Sequence, residues 1–196
     1  MSVLLALALS VAPPVSAKSE ALALRAIHNF GACVVETTPK GAEEVLTMDF
    51  TTKDYSARLR ELGKGHGRCI MPEWRLQTSG VLFAGALAEG LLHSEVKPAD
   101  LAGRLAFDPE RPAIPARSET ETMALCTVMQ SPQATTELLA TDPASKEEHT
   151  AMTHIVATLP NCLKKDANLT LNPPALRSLL ALAAWRIVET PKVAAQ

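Results

Sequence analysis

Aromatic residues are scarce in this 196-residue chain, with Phe, Trp and Tyr together at 4%. Charge of one sign is also missing: 19 Lys and Arg face 21 Asp and Glu, for a formal net charge of −2. A nucleic-acid-binding surface needs a basic stripe, and none is visible, so no nucleic-acid partner is expected. No later run approaches the ~20 apolar residues of a membrane span. The most apolar of these stretches, 175–188, is too short and carries Arg177 and Arg186. No segment alternates long enough to make a strand. Cys-x-x-Cys, His-Glu-x-x-His and Gly-x-Ser-x-Gly do not occur, so the familiar motifs of redox, zinc-hydrolase and serine-hydrolase chemistry are absent. Neither a metal nor a cofactor is expected.

What is present favours helix. Apolar residues make up 47% of the chain, and they are mostly Ala and Leu rather than the β-branched residues of sheets. Residues 1–17 read as a signal peptide: an apolar run from Val3 to Leu9, then Val15 and Ala17 at the −3 and −1 positions of a cleavage site. Export to the periplasm or outside the cell is the expectation, with cleavage after Ala17. That would place the four cysteines in an oxidising compartment.

The cysteines expose an internal repeat. Cys33 and Cys69 are 36 residues apart, as are Cys126 and Cys162. A shift of 93 lays residues 30–93 on 123–186 without a gap, with 11 identities in 64 positions. The helix-start signals match as well. Thr38-Pro39 and Ser131-Pro132 read as a hydroxyl N-cap followed by proline at the first helical position. Thr52 and Ser145 mark second starts, and Ser145-x-x-Glu148 forms a capping box. Ser79 and Asn172 mark third starts, and Ser118-x-x-Glu121 opens the fifth helix. Gly63 is expected to close the third helix in a left-handed turn.

The expected fold is therefore all-α: a tandem duplication of a disulfide-tied four-helix unit, packed as a pseudo-symmetric bundle around the two fourth helices. The predicted helices are 20–36, 39–48, 53–63 and 80–94, then 119–130, 132–141, 146–158 and 173–189. The division is a leader (1–17), repeat 1 (18–95), a proline-containing linker with a short helix near 100–105 (96–117), repeat 2 (118–190) and a tail (191–196). Duplication selects the pairing Cys33–Cys69 and Cys126–Cys162, each closing a loop of about 37 residues, worth roughly 4 kcal/mol in a chain-entropy treatment.

Few residues point to chemistry. The segment 63–68 resembles a phosphate loop only in its glycines; it lacks the required order and reads as a flexible helix exit. Polar residues that face apolar ones in the other copy are better candidates. Glu89 stands opposite Leu182 in an apolar helix, where burial would raise its pKa and make a general acid of it, unless it faces solvent or pairs with a nearby arginine. Trp74, Arg75, His66 and His93 are likewise confined to one copy and are candidate binding residues. The last helix is apolar all round, so it is either central or covered by a partner, and a homodimer through it is one expectation. The leading functional expectation is a non-catalytic envelope module that binds an unidentified protein or small ligand between the copies. The alternatives are an envelope hydrolase using Glu89 and a purely structural envelope protein.

Overall fold

A computed structural model describes residues 17–70, 77–165 and 170–190. Among them are nine α-helices, two short 3₁₀ turns and no strand. The first group comprises α1 (Ala17–Thr37), α2 (Pro39–Thr47), α3 (Lys53–Gly65) and α4 (Gly80–Glu95). α5 (Pro98–Leu105) lies in the segment between the groups. The second group comprises α6 (Glu119–Gln130), α7 (Pro132–Leu139), α8 (Lys146–Thr158) and α9 (Pro173–Glu189). The starts Pro39 and Pro132, Lys53 and Lys146, and Gly80 and Pro173 are each 93 residues apart.

α4 and α9 form the centre. α4 packs chiefly against α9 and α1, and α9 chiefly against α4 and α6. Both are apolar around most of their circumference, as helices enclosed on several sides must be. From Phe83 to Leu92 only Gly90 is not buried. α9 buries its length from Leu176 to Val188 except at Leu179, Leu182 and Arg186. This surface is covered largely by the chain itself. The two central helices meet where a side chain is missing: a Cβ on Gly85 would stand 2.4 Å from Ser178 Cβ and 2.6 Å from its Cα. Gly31 lets α1 approach α4 in the same way, since a Cβ there would lie 2.5 Å from Ala86 Cβ.

A single buried core runs from Phe30 to Val188 and includes Val96, Leu101 and Leu105 from the segment between the groups. That segment is thus packed into the core rather than strung between two bodies. Arg104 ties it to α9 by donating to the Val188 carbonyl at 3.1 Å.

The disulfides join the expected cysteines. Cys33–Cys69 ties α1 to the 3₁₀ turn Gly67–Cys69, and Cys126–Cys162 ties α6 to the turn Leu159–Cys162. The hydroxyls of Thr52, Ser118 and Ser145 and the side-chain carbonyl of Asn172 cap their helices as expected, accepting from the N–H groups of Tyr55, Glu121, Glu148 and Ala175.

Three local expectations are corrected. Thr38 and Ser131 precede helix-starting prolines, but neither hydroxyl caps its helix. Thr38 Oγ1 bonds His66 Nε2 at 2.8 Å, and Ser131 Oγ bonds Thr158 Oγ1 at 2.8 Å. Each hydroxyl was drawn off to pin a helix start to the end of α3 or α8. Ser79 stands at the start of α4 as expected, without a side-chain cap. Gly63 does not end α3, which continues to Gly65, and no described glycine has positive φ. Gly63 is where α3 meets Phe83, whose ring carbon would lie 3.3 Å from an added Cβ.

Two stability measurements follow. Gly85→Ala should lower unfolding stability by about 1–3 kcal/mol, because the added carbon meets the α9 backbone and the helices must separate. Gly103→Ala, with nothing within 4 Å of the added carbon, should not destabilise; urea melts of both check this. Replacing Cys33 and Cys69 together with Ala should cost about 2–4 kcal/mol in the same assay.

Candidate functional site

Two features lie beside the α4–α9 crossing, one filled with charge and one open. Glu89 is four residues beyond Gly85, so it lies on the same side of α4. Arg177 is next to Ser178 on α9. Both are buried, at 4% and 1% exposure. Arg177 Nε donates to Glu89 Oε1 at 2.9 Å and Nη2 to Oε2 at 2.8 Å, a two-bonded fork. The rest of the guanidinium is also occupied. Nη1 donates to Thr141 Oγ1 and Glu148 Oε1, both at 3.0 Å, and Nη2 to the Thr141 carbonyl at 2.9 Å. His28 Nδ1 of α1 stands 3.4 Å from Glu89 Oε2. Glu148 is held in turn by the Ala144 N–H at 2.6 Å, and Ala144 adopts φ 55° in doing so. The network thus joins α1, α4, α9 and the start of α8.

Burial is the largest influence on Glu89 and pushes its pKa up. The hydrogen bonds of His28 and Arg177 and the Arg177 charge outweigh it and hold the carboxyl below its ordinary range. Burial likewise works against charge on Arg177, but Glu89 and Glu148 leave its pKa raised. Both groups are therefore ionised. A general acid needs the reverse, a carboxyl held protonated with an oxygen free for substrate. Glu89 serves here as an anchored counterion.

The open feature is a groove of about 480 Å³ lined from both groups of helices. One wall carries Leu46 of α2, Met48 and Phe50 of the following loop, Tyr55 of α3 and Val81 of α4. The other carries Ala124 of α6 and Leu179, Leu182, Ala183 and Trp185 of α9. Burial pushes the Tyr55 phenol up to about 12, so this wall stays uncharged. Trp185 Nε1 is buried with no acceptor among the described residues.

Three charged side chains line the groove: Arg117, Glu121 and Arg186. Arg186 forms an ion pair with Glu121, and its Nη2 donates to the Pro115 carbonyl at 3.2 Å. The second Glu121 oxygen accepts from the Arg117 backbone N–H at 2.6 Å. The Arg117 guanidinium has only a 3.4 Å hydrogen bond to the Thr47 carbonyl. No carboxylate of the described residues pairs with it. Asp49 lies within its longer-range field and accepts two hydrogen bonds from Thr51, both on Oδ1.

The other candidate residues serve separate contacts. His66 is buried, with Nδ1 donating to the Leu62 carbonyl at 2.7 Å and Nε2 facing the Thr38 hydroxyl. It fastens the end of α3. His93 Nε2 donates to the Leu139 carbonyl at 3.2 Å, tying α4 to the end of α7. Trp74 and Arg75 lie outside the described residues. Sequence reasoning missed the groove residues Phe50, Tyr55 and Arg117, and it allowed an arginine partner for Glu89 without naming Arg177. One signal was available for the pair: a lone arginine in the apolar stretch before Ser178 needs a buried counterion.

Set against known protein families, curated proteins and solved structures, the chain has no significant match to any.

Arg177→Met should cost about 3–5 kcal/mol, because it strands a buried carboxylate; the double variant Glu89→Leu/Arg177→Met should recover most of that loss. The lowered Glu89 pKa makes its contribution complete above the ordinary carboxylate range and lost as the pH falls through the native value. The stability gap between wild type and the double variant should accordingly shrink on acidification. Urea titrations at several pH values read both effects.

Proposed function

We propose that the protein is an exported binding module of the cell envelope, and that it takes a small apolar ligand in the groove between two copies of one ancestral unit. The observation that carries this reading is the apolar groove of about 480 Å³ whose walls come from both groups of helices. Its size is in the range of small-molecule sites. The two disulfides fit an oxidising compartment. None of the described helices is long and apolar enough to cross a membrane. The leader expected at residues 1–17 falls almost wholly outside the described residues.

Duplication relates the groove to the charged network. Gly85 and Ser178, which touch where α4 crosses α9, are 93 residues apart. A two-fold relation between copies brings equivalent positions face to face in this way. The same shift pairs Leu182 with Glu89, Tyr55 with Glu148, and Met48 with Thr141. The open groove is then the counterpart of the charged network. Arg177 fills one side, and its equivalent is Ala84 on the other.

Binding of the neutral fluorophore N-phenyl-1-naphthylamine to the purified protein tests the reading. Saturable micromolar binding is expected. Leu182→Trp and Val81→Trp, which place bulk at half-buried groove positions, should weaken it at least tenfold while thermal melting shows both variants folded. No saturable binding to folded wild type would overturn the proposal, as would equal binding by the filled variants. So would a dimer, seen by sedimentation, that these substitutions break, for then a second copy covers the groove.

A further inference from the structure

The charges along the groove allow its ligand to be specified more closely, an inference that rests on the binding role proposed above. Of the three charged side chains on its wall, two are arginines and one is a glutamate. Glu121 neutralises Arg186. Arg117 is left over: half-buried, fixed at its backbone by Glu121, and holding with its guanidinium only a long hydrogen bond to a carbonyl. A guanidinium prefers two parallel bonds to a carboxylate or phosphate. Here no side chain of the described residues supplies them. The geometry points to an amphiphilic monocarboxylate, a free aliphatic acid, that lays its chain over Val81, Leu179 and Leu182 and its carboxylate on Arg117.

A groove of about 480 Å³ lies in the size range of small-molecule sites, which a single-chain acid suits. The neutral Tyr55 phenol adds no competing negative charge to the wall. Asp49, the nearby acid, is exposed and held by Thr51, so solvent screens its claim on Arg117.

Displacement of N-phenyl-1-naphthylamine by dodecanoate, 1-dodecanol and dodecylammonium, each below its micelle concentration, tests the inference on the full protein. Dodecanoate should bind about tenfold tighter than dodecanol, and dodecylammonium weakest. Arg117→Gln should weaken dodecanoate five- to tenfold and leave dodecanol within twofold, whereas Arg117→Lys should keep most of the preference for the anion. Raising the salt concentration should weaken dodecanoate alone. If the fluorophore binds but dodecanol matches dodecanoate, or Arg117→Gln leaves their ratio unchanged, the carboxylate assignment falls and the apolar-groove reading stands. If the fluorophore and all three amphiphiles fail to bind, both fall. Sedimentation with phosphatidylglycerol vesicles, in the absence of dodecanoate binding, would assign Arg117 to a membrane surface and overturn the inference.

Discussion

The missing side chain at Gly85 allows α4 and α9 to touch, and most of the architecture is arranged around that contact. Helix axes normally pass 8–10 Å apart, a distance set by the side chains between them. An added carbon at residue 85 would collide with the Ser178 backbone, so only glycine permits this crossing. Once the two helices are that close, their next turns are committed. Glu89 lies one turn beyond Gly85 and meets Arg177, the neighbour of Ser178. Leu182 lies one turn beyond Ser178 on α9 and faces the open side. α1 and α6 flank the pair, and the disulfides hold those outer helices to the turns that follow α3 and α8.

On the charged side, burial forces completeness. A guanidinium in a protein interior is tolerated only when its donors are met, and Arg177 meets two carboxylates, a hydroxyl and a carbonyl. That demand ties the loop after α7 and the start of α8 to Arg177 of α9. On the open side Arg186 has its demand met by Glu121 and the Pro115 carbonyl. The walls are largely apolar, and Arg117 stands beside them without a carboxylate partner among the described residues. Arg177 and Arg117 thus differ in their partners rather than in residue type.

Much of the helical scaffold was legible locally. Proline at the first helical position, hydroxyl and amide caps, and capping boxes act within a few residues, so Pro39, Thr52, Ser118, Ser145 and Asn172 mark helix starts with little help from the rest of the chain. The capping failures share one cause. Thr38 and Ser131 carry ordinary local signals, but His66 and Thr158, brought up by folding, claimed the hydroxyls. Local preferences are worth about 1 kcal/mol each, and a tertiary contact of equal strength redirects them.

Glu89 shows the same division at the candidate site. Its place in an apolar helix announced burial but not whether burial would leave it protonated or paired. The answer came from an arginine 88 residues away, and no local pattern encodes that distance. By itself the sequence determined helix content, most helix starts and the matched cysteine spacing, because hydrogen-bond caps, backbone limits and periodic burial act over one or two turns. Only the tertiary structure decided which charges neutralise one another and which space is left open. Those outcomes depend on distances between helices, and here that distance is set where Gly85 meets Ser178.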